Sequence, residues 1–284
     1  LRRTFRVNTL KATPEQVKEM LADFELDPLE WNRLAFAVNR EAGLGRTLAH
    51  FLGLIYVQES ASMVPPLVLE PEPGDTVLDI AAAPGSKTTQ MAAMMENTGL
   101  IIANDVSLER LRGLIGNIDR AGCLNVAVCR GDGTKLHCRL DGTCDRVLVD
   151  APCSAEGTIR RSREALERWS VRGIANFSRI QKRLILAGFR CLKPGGVMVY
   201  STCTIAPEEN EAVVAYLLTR QPDALVDEVV LDGFGMRPAL DGWLDLTFPT
   251  EVTRCRRVLP QDNDTEAFFV ARIRRAEGAT TQGA

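Results

Sequence analysis

Apolar positions along this 284-residue chain fall into two regimes that change near residue 75. Beyond that point, short apolar runs at residues 76–80, 101–104, 125–129, 146–149 and 197–200 alternate with longer stretches of helical spacing. Runs of this length, bounded by turn residues and separated by helices, predict a mostly parallel sheet covered on both faces. Before it, residues 1–57 read as a smaller α+β unit. Residues 2–10 alternate as an edge strand would, and Thr13-Pro14-Glu15 followed by Val17, Met20, Leu21 and Phe24 predicts a capped amphipathic helix. Strand-like pieces follow at 35–38 and 54–57, and a helix is expected to start at 56–63 and run into Pro65-Pro66. Pro71-Glu72-Pro73-Gly74 marks a turn before the first run of the larger unit. The expected division is 1–57, 58–275 and a polar tail at 276–284.

Composition narrows the class. Hydrophobic residues make up 45% of the chain, enough for a sizeable core, and no apolar run approaches the ~18 residues of a membrane span. With no signal-like segment at the start, a cytoplasmic, membrane-free protein is expected. Eight cysteines form no Cys-x-x-Cys pair and only two histidines accompany them, so neither a metal site nor a disulfide framework is expected. The formal net charge of −3 by itself disfavours a nucleic-acid partner, but the distribution of charge matters more than its sum. Arg160, Arg161, Arg163, Arg168, Arg172, Arg179, Lys182, Arg183, Arg190 and Lys193 crowd one stretch opposed by only Glu156, Glu164 and Glu167. Together with Arg2, Arg3 and Arg6 on the first strand, this predicts a polarised surface and an RNA-facing small unit.

Candidate chemistry gathers at the predicted strand ends. After the first strand of the large unit, Asp79-Ile80-Ala81-Ala82-Ala83-Pro84-Gly85-Ser86-Lys87 brings small residues to a helix N-terminus without the glycine spacing of a phosphate loop. Asp105, ending the second strand, suits ribose hydroxyls, and Asp132, after the third, suits an exocyclic amine. With Asp150 they outline a nucleoside without phosphate, which points to S-adenosylmethionine. Cys153 in Asp150-Ala151-Pro152-Cys153-Ser154 and Cys203 in Ser201-Thr202-Cys203-Thr204 follow two neighbouring strands. Thiolate addition to C6 of a pyrimidine would activate C5 for methylation, a nearby carboxyl would stabilise the charge on the ring, and a second thiol would help the last steps.

These motifs, with Arg6-Val7-Asn8-Thr9-Leu10-Lys11, Gln58-Glu59-Ser60-Ala61-Ser62-Met63, Leu192-Lys193-Pro194-Gly195-Gly196 and Thr265-Glu266-Ala267-Phe268-Phe269, resemble the Nol1/Nop2/Sun family of RNA cytosine-5 methyltransferases over nearly the whole chain. The resemblance implies a Rossmann-like class I methyltransferase with a seven-stranded, mostly parallel sheet behind a small α+β RNA-recognition-like domain. It implies Cys203 as nucleophile, Cys153 in product release, Asp150 on the target base and Lys87 directed toward the substrate. Ala81, Ala82, Ala83, Pro84, Gly85, Ser86, Lys87, Asp105, Arg110, Asp132, Asp150 and Pro152 would contact the cofactor. The chain has Ala81 and Ser86 where the family usually has cysteine and glycine, and Gln261 and Ala267 where histidine and glycine are common. Compact archaeal-type tRNA enzymes are the nearest comparison and bacterial rRNA enzymes the competing one; a monomer is expected. Two alternatives stay open: a DNA cytosine-5 methyltransferase using Cys153, and an RNA-binding assembly factor without turnover.

Overall fold

Thr13 opens the first helix, Pro14–Met20, through a reciprocal capping box: its hydroxyl accepts from Gln16 N–H, and the Gln16 side chain accepts from Thr13 N–H. The computed structural model describes residues 1–39 and 43–277, so most of the expected tail, 278–284, lies outside the described residues. Strands β1 (Arg3–Val7), β2 (Asp27–Leu29), β3 (Asn32–Val38) and β4 (Ile55–Val57) form an antiparallel sheet in the order β2-β3-β1-β4. The strand expected at the edge is therefore an interior one. Alternation reports which face is buried, and here it does not report edge position, because both neighbours of β1 come from later in the chain.

One face of this sheet carries Phe5, Val7, Phe36 and Val38, which pack with Val17 and Leu21 of the helix. The other carries Thr4 and Arg6 opposite Ala37 and Ala35, and all four are buried. Arg6 donates to Gln58 Oε1 at 3.0 Å, to Ser86 O at 3.2 Å and to Thr89 Oγ1, and it lies 5.0 Å from the Tyr56 ring centroid. Asn8 Nδ2 reaches Ala121 O at 2.7 Å and Lys11 Nζ reaches Arg120 O at 2.8 Å. These two donors satisfy carbonyls at the C-terminal end of helix Leu108–Ala121, where a cation is also favoured by the helix dipole. The expected RNA-facing strand is thus partly an interdomain one: Arg2 and Arg3 remain exposed, whereas Arg6 is consumed in docking.

The larger sheet contains β5 (Thr76–Asp79), β6 (Leu100–Asp105), β7 (Val126–Arg130), β8 (Cys144–Asp150), β9 (Leu192–Thr202), β10 (Ala224–Asp227), β11 (Arg237–Pro238), β14 (Arg256–Val258) and β15 (Phe268–Arg275). A two-stranded hairpin of β12 (Gly242–Trp243) and β13 (Leu246–Thr247) stands apart. The order is β11-β14-β15-β9-β8-β5-β6-β7, with β10 also paired to β15. The five strands legible as apolar runs make the parallel half, β7-β6-β5-β8-β9. The other half is antiparallel, so the sheet has nine strands where seven are expected. The antiparallel half consists of β15 and three pieces of two to four residues, β10, β11 and β14, each too short to leave a periodic signal.

Along β8, Val147 and Val149 enter one apolar cluster with helix Val171–Cys191, and Leu148 enters the other with helix Leu108–Ala121. Both faces are therefore covered, as continuous apolar runs predict. The helix expected from residue 56 begins later, as Val64–Leu69, with both prolines in its first turn, where missing N–H groups cost little. Residues before it instead form β4 and a single 3₁₀ turn, Ala61–Met63, because the Glu59 carboxylate accepts from Ser60 Oγ and Ser62 N and holds a tight polar loop. Among the described residues, no helix is long and apolar enough to cross a membrane.

Truncating Arg6 would strand several buried acceptors at once. Arg6→Ala is expected to lower the unfolding free energy by about 2–4 kcal/mol, measured by denaturant titration; a loss under about 0.5 kcal/mol would show that the docking face contributes little.

Candidate active site

Parallel pairing of β8 with β9 sets Asp150 opposite Ser201, and Ala151 N–H extends the ladder to Ser201 O at 2.9 Å. Cys153 and Cys203 follow immediately, and their sulfurs lie 3.3 Å apart. From the helix Ser86–Met94, buried Lys87 extends its ammonium to Asp150 Oδ2 at 2.7 Å and Ser62 Oγ at 3.0 Å, 5.4 Å from the Phe268 ring centroid. Ser201 donates to the other carboxylate oxygen of Asp150 at 2.8 Å. Four residues expected in catalysis, Lys87, Asp150, Cys153 and Cys203, are thus brought together.

The loop after β8 is clamped to the loop after β9. Gly157 N–H donates to Cys203 O at 2.9 Å, and Ala267 N–H, just before β15, donates to Gly157 O at 3.1 Å. A Cβ at Gly157 would sit 2.4 Å from Ala267 O and 2.7 Å from Cys203 O, so only glycine permits this approach. Ser154 N–H reaches Glu209 Oε2 at 3.1 Å, and Gln181 Nε2 bridges Glu209 Oε2 at 2.7 Å and Pro152 O at 2.9 Å. The hydrogen bond with Cys203, then burial, then the nearby Cys203 and Glu209 charges push the Cys153 thiol well above its ordinary pKa.

The loop at 81–87 is shaped by a separate set of contacts. Gly85 adopts φ +100°, and a Cβ there would meet Leu114 Cδ1 at 2.8 Å. Ala82 and Ala83 are buried, Ala81 and Ser86 half-buried and Pro84 exposed. Ser86, where the family usually has glycine, contributes its carbonyl to Arg6. Asp105 accepts from Ala83 N at 3.3 Å and Ser107 N at 2.9 Å and pairs with Arg110 at 3.0 Å; Arg110 also donates to Ala83 O. Asp132, half exposed, caps the turn after β7 by accepting from Thr134 N and Oγ1, the latter holding its carboxyl below the usual range. Pro152 is exposed beside Cys153. Asp105 and Asp132 join neither each other nor the thiols by any direct contact described for them.

Carboxylates dominate these strand ends, and the loop's lysine is already neutralised by Asp150. That donor set suits a cationic nucleoside bearing hydroxyl and amine groups, and it does not suit a phosphate. The fit to S-adenosylmethionine is chemical: acceptors for hydroxyls and an amine, with Lys87 and Arg110 already paired to Asp150 and Asp105.

Sequence reasoning missed Ser62, Ser201, Glu209 and Phe268 as parts of this arrangement. Ser62 and Ser201 sat within motifs read for other residues, and Glu209 follows the cysteine motif in Pro207-Glu208-Glu209-Asn210, so proximity in sequence was the available signal.

The profile of the 16S rRNA methyltransferase RsmB/F family matches residues 66–274. The chain belongs to this family. A profile for the N-terminal domain of 16S rRNA methyltransferase RsmF matches residues 1–60. Among relatives of this RsmB/F-family chain, the tRNA (cytosine(49)-C(5))-methyltransferase of Pyrococcus abyssi is 46% identical over 97% of the chain and 88% of that protein. The ribosomal RNA small subunit methyltransferase F of Pectobacterium carotovorum is 41% identical over 97% of the chain; the chain spans only 57% of that relative. A methyltransferase homologue from Pyrococcus horikoshii superposes with a TM-score of 0.83 at 36% identity, covering 97% of this chain and 87% of the other. NSun6 from the same organism, solved with SFG, gives 0.83 at 26% identity, covering 97% and 91%. These neighbours share the Rossmann-like architecture with its small N-terminal domain.

Asp79, buried beneath the loop, supplies a pH-dependent test. Burial raises its pKa from 3.8 to about 7, against the lowering effect of the Thr88 hydroxyl that it accepts at 2.7 Å. A folded pKa above the unfolded value means that this stabilising contribution is complete below about pH 4 and is lost as pH rises to about 7. Asp79→Asn should therefore gain stability relative to wild type across that window, by on the order of 4 kcal/mol. Denaturant titrations at pH 4.5 and 8 check this, and a difference that does not change with pH would contradict it.

Proposed function

We propose that this chain transfers a methyl group from S-adenosylmethionine to C5 of a cytosine in RNA. The observation that carries the reading is the contact of two free thiols, Cys153 and Cys203, beside the Lys87–Asp150–Ser201 network. Bound cofactor would supply an electrophilic methyl on sulfur. Ala81 to Lys87, Asp105, Arg110, Asp132, Asp150 and Pro152 are the residues proposed to hold it, with Asp105 and Asp132 offering acceptors for hydroxyl and amine groups.

Cys203, as thiolate, adds to C6 of the base and makes C5 nucleophilic. Asp150, fixed on one oxygen by Lys87 and on the other by Ser201, presents its carboxyl group to the pyrimidine edge, and Lys87 lies on the same side. After methyl transfer, the C5 proton must leave and the C6–S bond must break. Cys153 S–H, in contact with Cys203, is placed to protonate the departing sulfur, and the thiolate so formed can take up the C5 proton. The 3.3 Å contact between the two sulfurs is what places Cys153 for this relay, with Cys203 as the attacking sulfur.

Residues 1–57 are read as the RNA-recognition-like domain and 58–275 as the catalytic domain. A tRNA is favoured over rRNA because the archaeal tRNA relative is matched over most of its length, whereas the bacterial rRNA relative extends well beyond the chain. A cytoplasmic monomer is the accompanying expectation.

Trapping tests the roles. With RNA carrying 5-fluorocytosine, wild type should form an adduct that survives denaturing electrophoresis, and Cys203→Ala should form none. Cys153→Ala should accumulate adduct with ordinary cytosine. An adduct from Cys203→Ala, or free turnover by Cys153→Ala, would overturn the assignment. Bisulfite sequencing of RNA from cells with and without the protein should then locate the cytosine, in tRNA on this reading.

A further inference from the structure

Cys153 also forms part of the wall of a cavity of about 260 Å³ enclosed by the turn after β8, helix Arg163–Glu167 and the start of helix Val171–Cys191. Ser154, Ser162, Trp169 and Phe177 line it as well, with Glu164 and Arg168 paired to each other at 2.6 Å, whereas Asp150, Lys87 and Cys203 do not. The cavity therefore adjoins the reacting centre without containing the groups that address the target base.

Trp169 is the informative residue. Its indole is 46% exposed, and its N–H donates to Glu156 Oε1. Glu156 Oε2 accepts from the Thr204 hydroxyl at 3.1 Å, and that hydroxyl contacts Ser154 Oγ at 2.9 Å. Ser170 caps the following helix by accepting from Gly173 N–H at 3.0 Å, which fixes the backbone next to the ring. An exposed aromatic side chain is thus tied to the loops of both cysteines, with its single polar atom already satisfied. What remains available is a π face.

Its surroundings match one kind of occupant. In the same stretch of sequence Ile159, Leu166 and Val171 are exposed, interleaved with exposed Arg163 and Arg172 and with Arg160, Arg161 and Arg168, which are exposed but paired with Asp264, Glu266 and Glu164. Aromatic and apolar surface among arginines is the composition that stacks unpaired bases while cations meet the backbone phosphates. We propose that this cavity receives the nucleobase adjacent to the target cytosine, stacked on Trp169, so that the unstacked neighbour holds the target in register with Cys203. The proposal rests on the reading of the chain as an RNA cytosine methyltransferase.

The experiment uses the full chain and a transcript containing the cytosine located by bisulfite sequencing, intact or with an abasic nucleotide on its 5′ or 3′ side. On intact RNA, Trp169→Ala should raise KM about tenfold with kcat nearly unchanged, while Trp169→Phe stays within about threefold of wild type. For wild type, the abasic nucleotide on one side should cost the same factor of about ten. For Trp169→Ala, the same abasic RNA should cost nothing further. Losses that multiply, or a Trp169→Ala enzyme indistinguishable from wild type, would overturn the subsite. Failure of wild type to methylate any RNA would instead overturn the underlying function, and the subsite with it.

Discussion

The parallel pairing of β8 with β9 is the constraint from which the rest of the site follows. Neighbouring parallel strands end on the same edge of the sheet about 5 Å apart, so the segments leaving Asp150 and Ser201 start side by side. A one-residue slip would turn every side chain of one strand to the opposite face. That slip is penalised throughout β8, where Val147, Leu148 and Val149 are all fully buried in two different clusters. Apolar packing well below the site therefore sets the separation of two sulfurs above it. Gly157 completes the work by holding Cys203 O and Ala267 N together from the far end of the loop.

Electrostatics adds a second layer. Lys87 is buried and its charge is met by Asp150, an arrangement whose disruption leaves an uncompensated charge in a poor solvent. Other carboxyls nearby meet burial differently. Burial and the neighbouring Glu59 push Glu266 up to about 7, against the pull of Arg161 and Lys87, and burial also raises Glu59 and Glu209. The ion pair of Lys87 with Asp150 thus sits among carboxyls that burial raises, Glu59, Glu209 and Glu266.

How much of this could be read in the residues varied with the length of the signal. The five parallel strands were legible because buried parallel strands are continuous apolar runs, and the two thiols and Asp150 followed from where those runs stop. The antiparallel half was not legible: Arg256–Val258 pairs because β15 offers it an edge, and Arg237–Pro238 pairs in turn with Arg256–Val258. Arg6 carried the plainest misreading. A charge on an alternating strand looks solvent-facing, but its three acceptors come from residues 58, 86 and 89, distant in sequence and brought near only by the fold. Ser201 and Ser62 were inside recognised motifs, yet their hydrogen bonds depend on the position of Lys87 and Asp150 in space.

The guanidinium of Arg6 spans two units that fold from separate stretches of chain. It donates to the carbonyl of Ser86, inside the loop proposed to close on the cofactor, and to Thr89 one turn further along the same helix. Any ligand that orders this loop in its docked form also strengthens the attachment of the first sheet, and by reciprocity an attached first sheet lowers the cost of ordering the loop. The small sheet, with one face committed to this joint, is thus fastened to the very segment proposed to hold the methyl donor.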